Sequence, residues 1–503
     1  MSLRAARSET TWERRRGPLL RLAGIVVFGL SFVGFVAFST VLYHRDFLAE
    51  DFGTYNQAWT LIGQGHLNPY DTIFTGFPFW KADLELIIWP LALLHIVYPH
   101  PIVLLWVQDA AVAGTGLVAY FWILDYLERR KVSWWPAAGA AVVVLAVLVV
   151  NPGVYQTLFF DFHMETISTF FLVLAGRDVW LGRHRRAWIW VAGVLLCGTF
   201  AAVTLIGLGI SAVLAGKDTR RQGLYLLGAA VGWLFFISVI GANAGSGLAS
   251  YAYLTGRATL PANAGIAVVV TGMLSHPSRV VHELHLKLHY FWLLIKPVGV
   301  VGLASAWGFG VPVVVMVTNG LNFNYEFILQ AFQSFAVFPF LLLGTVMVLV
   351  WLAQRFRFGW LPCVVLALVL TVQALAYGIT NSPGNIRWAI DNVPAAAGAQ
   401  IRKALALTPP QAEVITSTGI MGRFSDRPHI YFFSPNGTYP VNDSEVEFVF
   451  DPAREQAAGY DDAAIAYVGS QLHARPVLEA AGIYVFQWHP PAGVKSVRFP
   501  PAG

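Results

Sequence analysis

The chain has 503 residues, 56% of them hydrophobic and only 12% charged, with a net charge of +5. Soluble domains carry about 25% charged residues, so this composition excludes a water-soluble protein of this length. Apolar runs of about 20 residues, enough to cross a hydrocarbon layer about 30 Å thick, recur through the chain up to residue 380 and point to lipid. The positive balance carries no nucleic-acid signature. The two cysteines, Cys197 and Cys363, lie in apolar runs and make neither a disulfide framework nor a zinc pattern.

The tail 1–18 ends on Arg14, Arg15 and Arg16, directly before the first apolar run, 19–42. That run is too long for a signal-peptide core and no small-residue cleavage site follows it, so it reads as a retained span. Further spans are expected at 101–126, 134–151, 164–181, 187–203, 204–216, 222–241, 287–306, 308–320, 331–353 and 359–380. The pairs 187–216 and 287–320 each read alternatively as one long kinked helix. Segment 84–98 is apolar but too short to cross, and is expected to lie on the outer surface within a long first outer loop, 43–100.

Basic residues orient this all-α bundle of about eleven helices. Seventeen Lys and Arg fall in the segments assigned to the cytoplasm: Arg4, Arg7, Arg14–Arg16, Arg129–Lys131, Arg177, Arg183, Arg185, Arg186, Lys217, Arg220, Arg221, Arg355 and Arg357. Only Arg45, Lys81, Arg257 and Arg279 fall in outer loops before residue 330. The asymmetry puts the N-terminus inside, and an odd span count puts the C-terminus outside. Beyond 19–380, Asn381-Ser382-Pro383-Gly384 reads as a turn-rich linker. Residues 381–503 then read as a small extracytoplasmic α/β domain, with a helix at 395–406 and strands at 413–416, 430–433, 446–450, 465–468 and 483–487.

Ionisable groups at membrane depth are expensive and mark functional candidates. Asp46, Glu50 and Asp51 follow the first span. A partly desolvated carboxylate there can act as a general base; alternatively Asp51 caps the helical run 55–62. Asp161, His163 and Glu165 precede the fourth span. Extended, they point to one side, where they can bind a divalent cation or form an acid–base pair; alternatively Asp161 caps the following helix. Lys81, Asp83 and Glu85 precede the surface segment and can line the same cavity as Asp51. His282, His285 and His289 share a helical face, reading as an interfacial polar stripe more readily than as metal ligands. Lys287 and Lys296 can meet a lipid phosphate or snorkel to the interface. Asn322, Asn324 and Glu326 can hold sugar hydroxyls or are plain loop polarity.

The chain resembles the polytopic membrane family known as domain of unknown function 2079 (DUF2079). Asp51-Phe52-Gly53-Thr54-Tyr55-Asn56-Gln57 is similar to its opening motif, with Glu50 in place of a Phe. Asp161-Phe162-His163-Met164-Glu165 is similar to its Phe-His-Pro-Glu motif, with Met164 in place of Pro. Ser275-His276-Pro277, Ala412–Ser417, Arg427–Tyr431 and Val446–Asp451 add matches in the same order. The family's Lys-Glu-Asp triplet has no counterpart in Gly198-Thr199-Phe200-Ala201-Ala202.

The family in turn resembles the GT-C membrane glycosyltransferases. That resemblance implies a sugar transferred from a polyprenyl-phosphate donor at the outer face of the plasma membrane. Asp51 would be the catalytic carboxylate. Lys81, Arg279 or Lys287 would hold the donor phosphate. Asp83, Asp161, His163, Glu165, Asn324 and Glu326 would line the substrate cavity, with a divalent ion at Asp161, His163 and Glu165 as the one cofactor suggested. The rivals are a transporter or lipid flippase and a non-catalytic envelope assembly protein.

Overall fold

The computed structural model describes residues 11–44, 48–74, 76–159, 161–241, 247–257, 260, 266–323, 332–391, 395–452 and 460–501. Its helices are α1 Thr11–His44, α2 Glu50–Gly63, α3 Trp80–Asp83, α4 Ile88–Val97, α5 Ile102–Arg129, α6 Trp134–Val149, α7 Pro152–Phe159, α8 Met164–Trp180, α9 His184–Leu195 and α10 Thr199–Leu214. They continue with α11 Lys217–Ile240, α12 Ile266–Ser275, α13 Pro277–Leu286, α14 Leu288–Ile295, α15 Ala306–Gly320, α16 Val337–Arg355, α17 Trp360–Asp391, α18 Ala395–Leu407 and α19 Tyr460–Ser470.

Among the described residues, five helical segments are both long and apolar enough to cross a membrane: Gly17–His44, Ile102–Arg129, Trp134–Leu158, Lys217–Ile240 and Phe332–Arg355. Leu30, Phe235 and Leu368 stay 67%, 70% and 63% exposed on the bundle's outside. Apolar exposure on that scale is favourable against hydrocarbon and costly against water.

Three expectations are corrected. The proposed span 287–306 is not continuous: α14 ends at Ile295, and a 3-10 turn, Val300–Ala304, follows a break. Pro297 lacks an N–H, and Gly299 sits at φ +93°, a conformation that favours glycine and ends a helix. The boundary between the fifth and sixth spans lies at 196–198 rather than 203–204, where Gly198 takes φ +97°. The expected linker 381–384 lies inside α17, so local turn propensity there is overridden. Segment 84–98 holds a short helix, α4, whose ten residues rise only about 15 Å.

The two ends of the bundle differ in charge. At one end Asp125 of α5 receives Arg21 of α1 and Arg177 of α8, each at 2.6 Å. Asp178 receives Arg186 at 3.1 Å and the Trp190 indole at 2.9 Å. Near the other end of α5, Gln108 binds the turn that carries residues 157–163. Gln108 and Asp125 are seventeen residues apart on one helix, about 26 Å of rise, close to a bilayer's hydrocarbon thickness.

The C-terminal strands are β1 Glu413–Thr416, β2 Ile430–Phe432, β3 Thr438–Pro440, β4 Val446–Phe450, β5 Arg475–Ala480, β6 Ile483–Trp488 and β7 Ser496–Arg498. Five form a sheet of order β2-β1-β4-β6-β5, parallel across β2, β1 and β4 and antiparallel beyond; β3 and β7 pair separately. Strands β1 and β4 are buried on both faces, as expected of parallel strands covered on both sides. One face packs on Ile401 and Ala404 of α18, and the other on Ala464 and Val468 of α19. The expected strand 465–468 is therefore helix α19; a four-residue apolar run does not fix its own period.

This C-terminal unit grips the segment between α1 and α5. Ile73 belongs to its core. Gly422 donates its N–H to the Leu48 carbonyl at 2.9 Å, and a Cβ on Gly422 would meet Leu48 and the Phe52 ring within 3 Å. Asn56 donates to the Ser425 hydroxyl at 2.9 Å, and the Gln57 amide donates to Thr72 and to the Arg427 and Pro428 carbonyls. Helix α2 is thus held between the bundle and the C-terminal unit.

Candidate functional site

Helix α2 presents Glu50 and Asp51 in its first turn. Its N-cap is Ala49, which has no side chain able to cap. The cap comes from another loop: the Asp161 carboxylate accepts the Ala49 N–H at 3.0 Å and the Phe52 N–H at 3.4 Å. This corrects two alternatives. Asp51 lies inside the helix rather than capping it, and Asp161 caps α2 rather than α8, whose own N-cap is His163. The arrangement uses the positive end of α2 to hold a buried acid. Removing that acceptor by Asp161→Ala should cost about 1 kcal/mol, the usual worth of a cap. Asp161→Asn, which keeps an acceptor, should cost less. Thermal unfolding of the purified chain in detergent reads the difference.

Asp161, His163 and Glu165 come to the same place because the Gln108 carbonyl accepts the His163 N–H at 2.7 Å while its amide donates to the Thr157 and Asp161 carbonyls. His163 Nε2 then lies 3.8 Å from Asp51 Oδ2, beyond hydrogen-bond range. The imidazole stacks on Phe332, centroids 3.2 Å apart. Burial pushes its pKa well below the ordinary histidine value, so it stands neutral beside Asp51.

The remaining acids enter from α3 and the residues after it. The Tyr55 hydroxyl donates to Glu85 at 2.8 Å. Asp83 faces the turn Gly198-Thr199 at the start of α10, which pulls its pKa down against burial. Gly198 lets this turn approach closely, its α-carbon region meeting Glu85 and Asp83 within about 3 Å of a notional Cβ. Glu85 feels the charges of Asp83, Glu165 and Asp51. Five carboxyls, those of Asp51, Asp83, Glu85, Asp161 and Glu165, therefore gather in one buried acid chamber, a cluster of side chains that includes Tyr55 and His163. Among the described residues no Lys or Arg forms an ion pair with any of the five.

The electrostatic result follows. Burial first, and the neighbouring Glu50 second, raise Asp51 to about 7. Burial and the Asp51 charge raise Asp161 to about 8, against the pull of its two backbone donors. Burial and the other acids raise Glu85 well above the carboxylate range, and burial raises Asp83. Asp51 is the member left most open, its side chain 38% exposed against 4% for His163. It is an accessible carboxylate that changes charge near neutrality, as a general base requires.

Lys81 lies on α3 two residues before Asp83, with its ammonium 5.5 Å from the Trp80 ring. Arg279 and Lys287 sit in a second cluster around the 3-10 turn Gly247–Thr255: Arg279 donates to the Tyr253 carbonyl at 2.8 Å, and Lys287 pairs with Glu283 at 3.1 Å. His282 and His285 are on α13, but His289 falls on α14 beyond the break at Lys287, so the predicted stripe is interrupted. Asn324 and Glu326 lie outside the described residues. Asp161, His163 and Glu165 do not gather their donor atoms as a metal trio; among the described residues the trio that does is Glu413, His429 and Asp443. Sequence reasoning missed Tyr55 and Gln108. A Gln-Asp pair inside a span, Gln108-Asp109, was the available signal.

A family model described as "Predicted membrane protein (DUF2079)" matches residues 45–463. The chain belongs to this family. The DUF2079 match includes α2, the 161–165 turn and most of the C-terminal unit. No curated protein matches the chain. Two solved structures are similar to it: ArnT from Cupriavidus metallidurans bound to undecaprenyl phosphate, 13% identical, covering 92% of this chain and 97% of that one at a TM-score of 0.42; and the same protein in the apo state, 12% identical, covering 90% and 97% at 0.42.

Proposed function

We propose that this DUF2079 protein is a glycosyltransferase that moves a sugar from a polyprenyl-phosphate donor to an acceptor hydroxyl at the outer face of the plasma membrane. The observation that carries the reading is Asp51: an accessible carboxylate at the rim of a buried acid chamber, raised to about 7, at the end of the bundle opposite the arginine-rich end. The positive-inside rule assigns the arginine end to the cytoplasm and the acid chamber and C-terminal unit to the outside.

Ionised Asp51 takes the acceptor hydroxyl proton. The acceptor oxygen bonds the anomeric carbon as the bond from that carbon to the phosphate oxygen breaks, and polyprenyl phosphate leaves with the electron pair. Neutral His163, 3.8 Å away, relays the proton or orients the acceptor. Lys81 supplies the charge nearest the chamber in sequence for the leaving phosphate, and Arg279 or Lys287 is the second choice. The C-terminal unit holds α2 in place.

Proteoliposomes containing the chain and a panel of polyprenyl-phosphate sugars test the reading. Release of polyprenyl phosphate that depends on an added acceptor is the expected result. No release with any donor, from protein shown to be folded, would remove it.

A further inference from the structure

Strands β2 and β4 both run parallel to β1, so the chain segments that start these three strands meet at one rim of the sheet. The register sets Val414 beside Ile430 and Glu413 beside Val446. Glu413 therefore has the residue before β2, His429, on one side and the turn before β4 on the other. Glu413 is fully buried. Its Oε2 accepts the N–H groups of Asn442 at 2.7 Å and Asp443 at 3.1 Å, which fixes that turn. Its Oε1 is buried without a hydrogen-bond partner. His429 Nδ1 lies 2.8 Å from Asp443 Oδ2. One donor atom from each of Glu413, His429 and Asp443 lies within 4.8 Å of the other two. His429 and Asn442 also line a cavity of about 780 Å³ between residues 66–76 and strands β2 and β3.

We propose that Glu413, His429 and Asp443 bind a divalent first-row transition cation, with an open coordination position facing that cavity. One imidazole and two carboxylates suit Zn²⁺ and its neighbours better than Mg²⁺ or Ca²⁺, which take all-oxygen sets. A buried carboxylate oxygen without a donor is costly to leave so, and a cation between the three groups gives Oε1 its partner. Metal–ligand bonds of about 2.0–2.2 Å set ligand atoms roughly 3.4 Å apart in a tetrahedral site. Closing this trio needs displacements on the order of 1 Å, and the His429–Asp443 contact opens to admit the ion. Three protein ligands leave a fourth position for water or a cavity ligand. The bonds from Asn442 and Asp443 to Glu413 orient the site from behind, the role outer partners play at metal centres.

The site is separate from the acid chamber, and its test does not need transferase activity. Purified full-length chain in detergent, stripped with a chelator, is titrated with Zn²⁺ by calorimetry and with Co²⁺ by visible absorption. One saturable equivalent is expected, with imidazole-type Co²⁺ bands and a raised melting midpoint. His429→Ala and Asp443→Ala should each weaken binding by at least about 10–100-fold, the loss seen when only an outer partner is removed, and should abolish the rise in melting midpoint. Asp51→Asn should bind as the unaltered chain does. No saturable binding overturns the proposal, as does unchanged affinity in both His429→Ala and Asp443→Ala. Loss of binding in Asp51→Asn places the ion in the chamber and also overturns it.

Discussion

Asp51→Asn should lower sugar transfer by about 10²–10⁴-fold, the usual contribution of a general base, with little change in KM. The substitution is nearly isosteric, and α2 keeps its cap because Asp161 provides it. The loss is therefore chemical rather than structural. The pH dependence gives an independent signature. The active form of Asp51 is the ionised one, so activity is absent well below its pKa and rises through about 7. In Asp51→Asn the residual rate should lose that acid limb. Transfer at the unaltered level, with normal protein abundance, would remove Asp51 from the reaction.

Arg427→Ala should be among the most destabilising single changes in the C-terminal unit, by about 3 kcal/mol or more, because each buried carbonyl left without its donor costs about 1–3 kcal/mol. Arg427 is 3% exposed. It donates to the carbonyls of Phe424 at 2.6 Å, Ala412 at 2.9 Å and Pro409 at 3.1 Å. Alanine leaves these acceptors unpaired around a cavity. The Arg427 carbonyl itself receives the Gln57 amide of α2, so loosening this segment also frees the helix that carries Asp51. Denaturant unfolding monitored in the C-terminal unit should show the loss, and transfer activity should fall with it. Arg427→Lys should recover only part, because an ammonium cannot reproduce the planar fork that reaches three carbonyls. Unfolding at the unaltered midpoint would show that the network carries little.

Composition and hydropathy were sufficient for the membrane class, because lipid acts on every residue of a span and leaves a long signal. The break at Pro297 and Gly299 was readable in principle, since both residues act locally. The acid chamber was only half legible. Asp51, Asp161, His163 and Glu165 stand out as charges where orientation needs none, yet their meeting depends on pairings no window can show. Asp161 caps a helix more than a hundred residues earlier in the chain. The grip of the C-terminal unit on Asn56 and Gln57 joins residues about 370 apart, and nothing in the local pattern of α2 marks it. Residues 465–468 satisfy both the strand and the helix period, and only packing against β4 and β6 decides for the helix.

Asp51 shares a buried acid chamber and holds a proton near neutrality. Infrared difference spectra of the carboxyl stretch, taken from about pH 5 to about pH 9 to bracket the raised acids, test it without any substrate. A protonated-carboxyl band that persists at neutral pH, titrates near 7 to 8 and loses its lowest step in Asp51→Asn is the expected result. A band already gone by the ordinary carboxylate range, or one identical in Asp51→Asn, would contradict it.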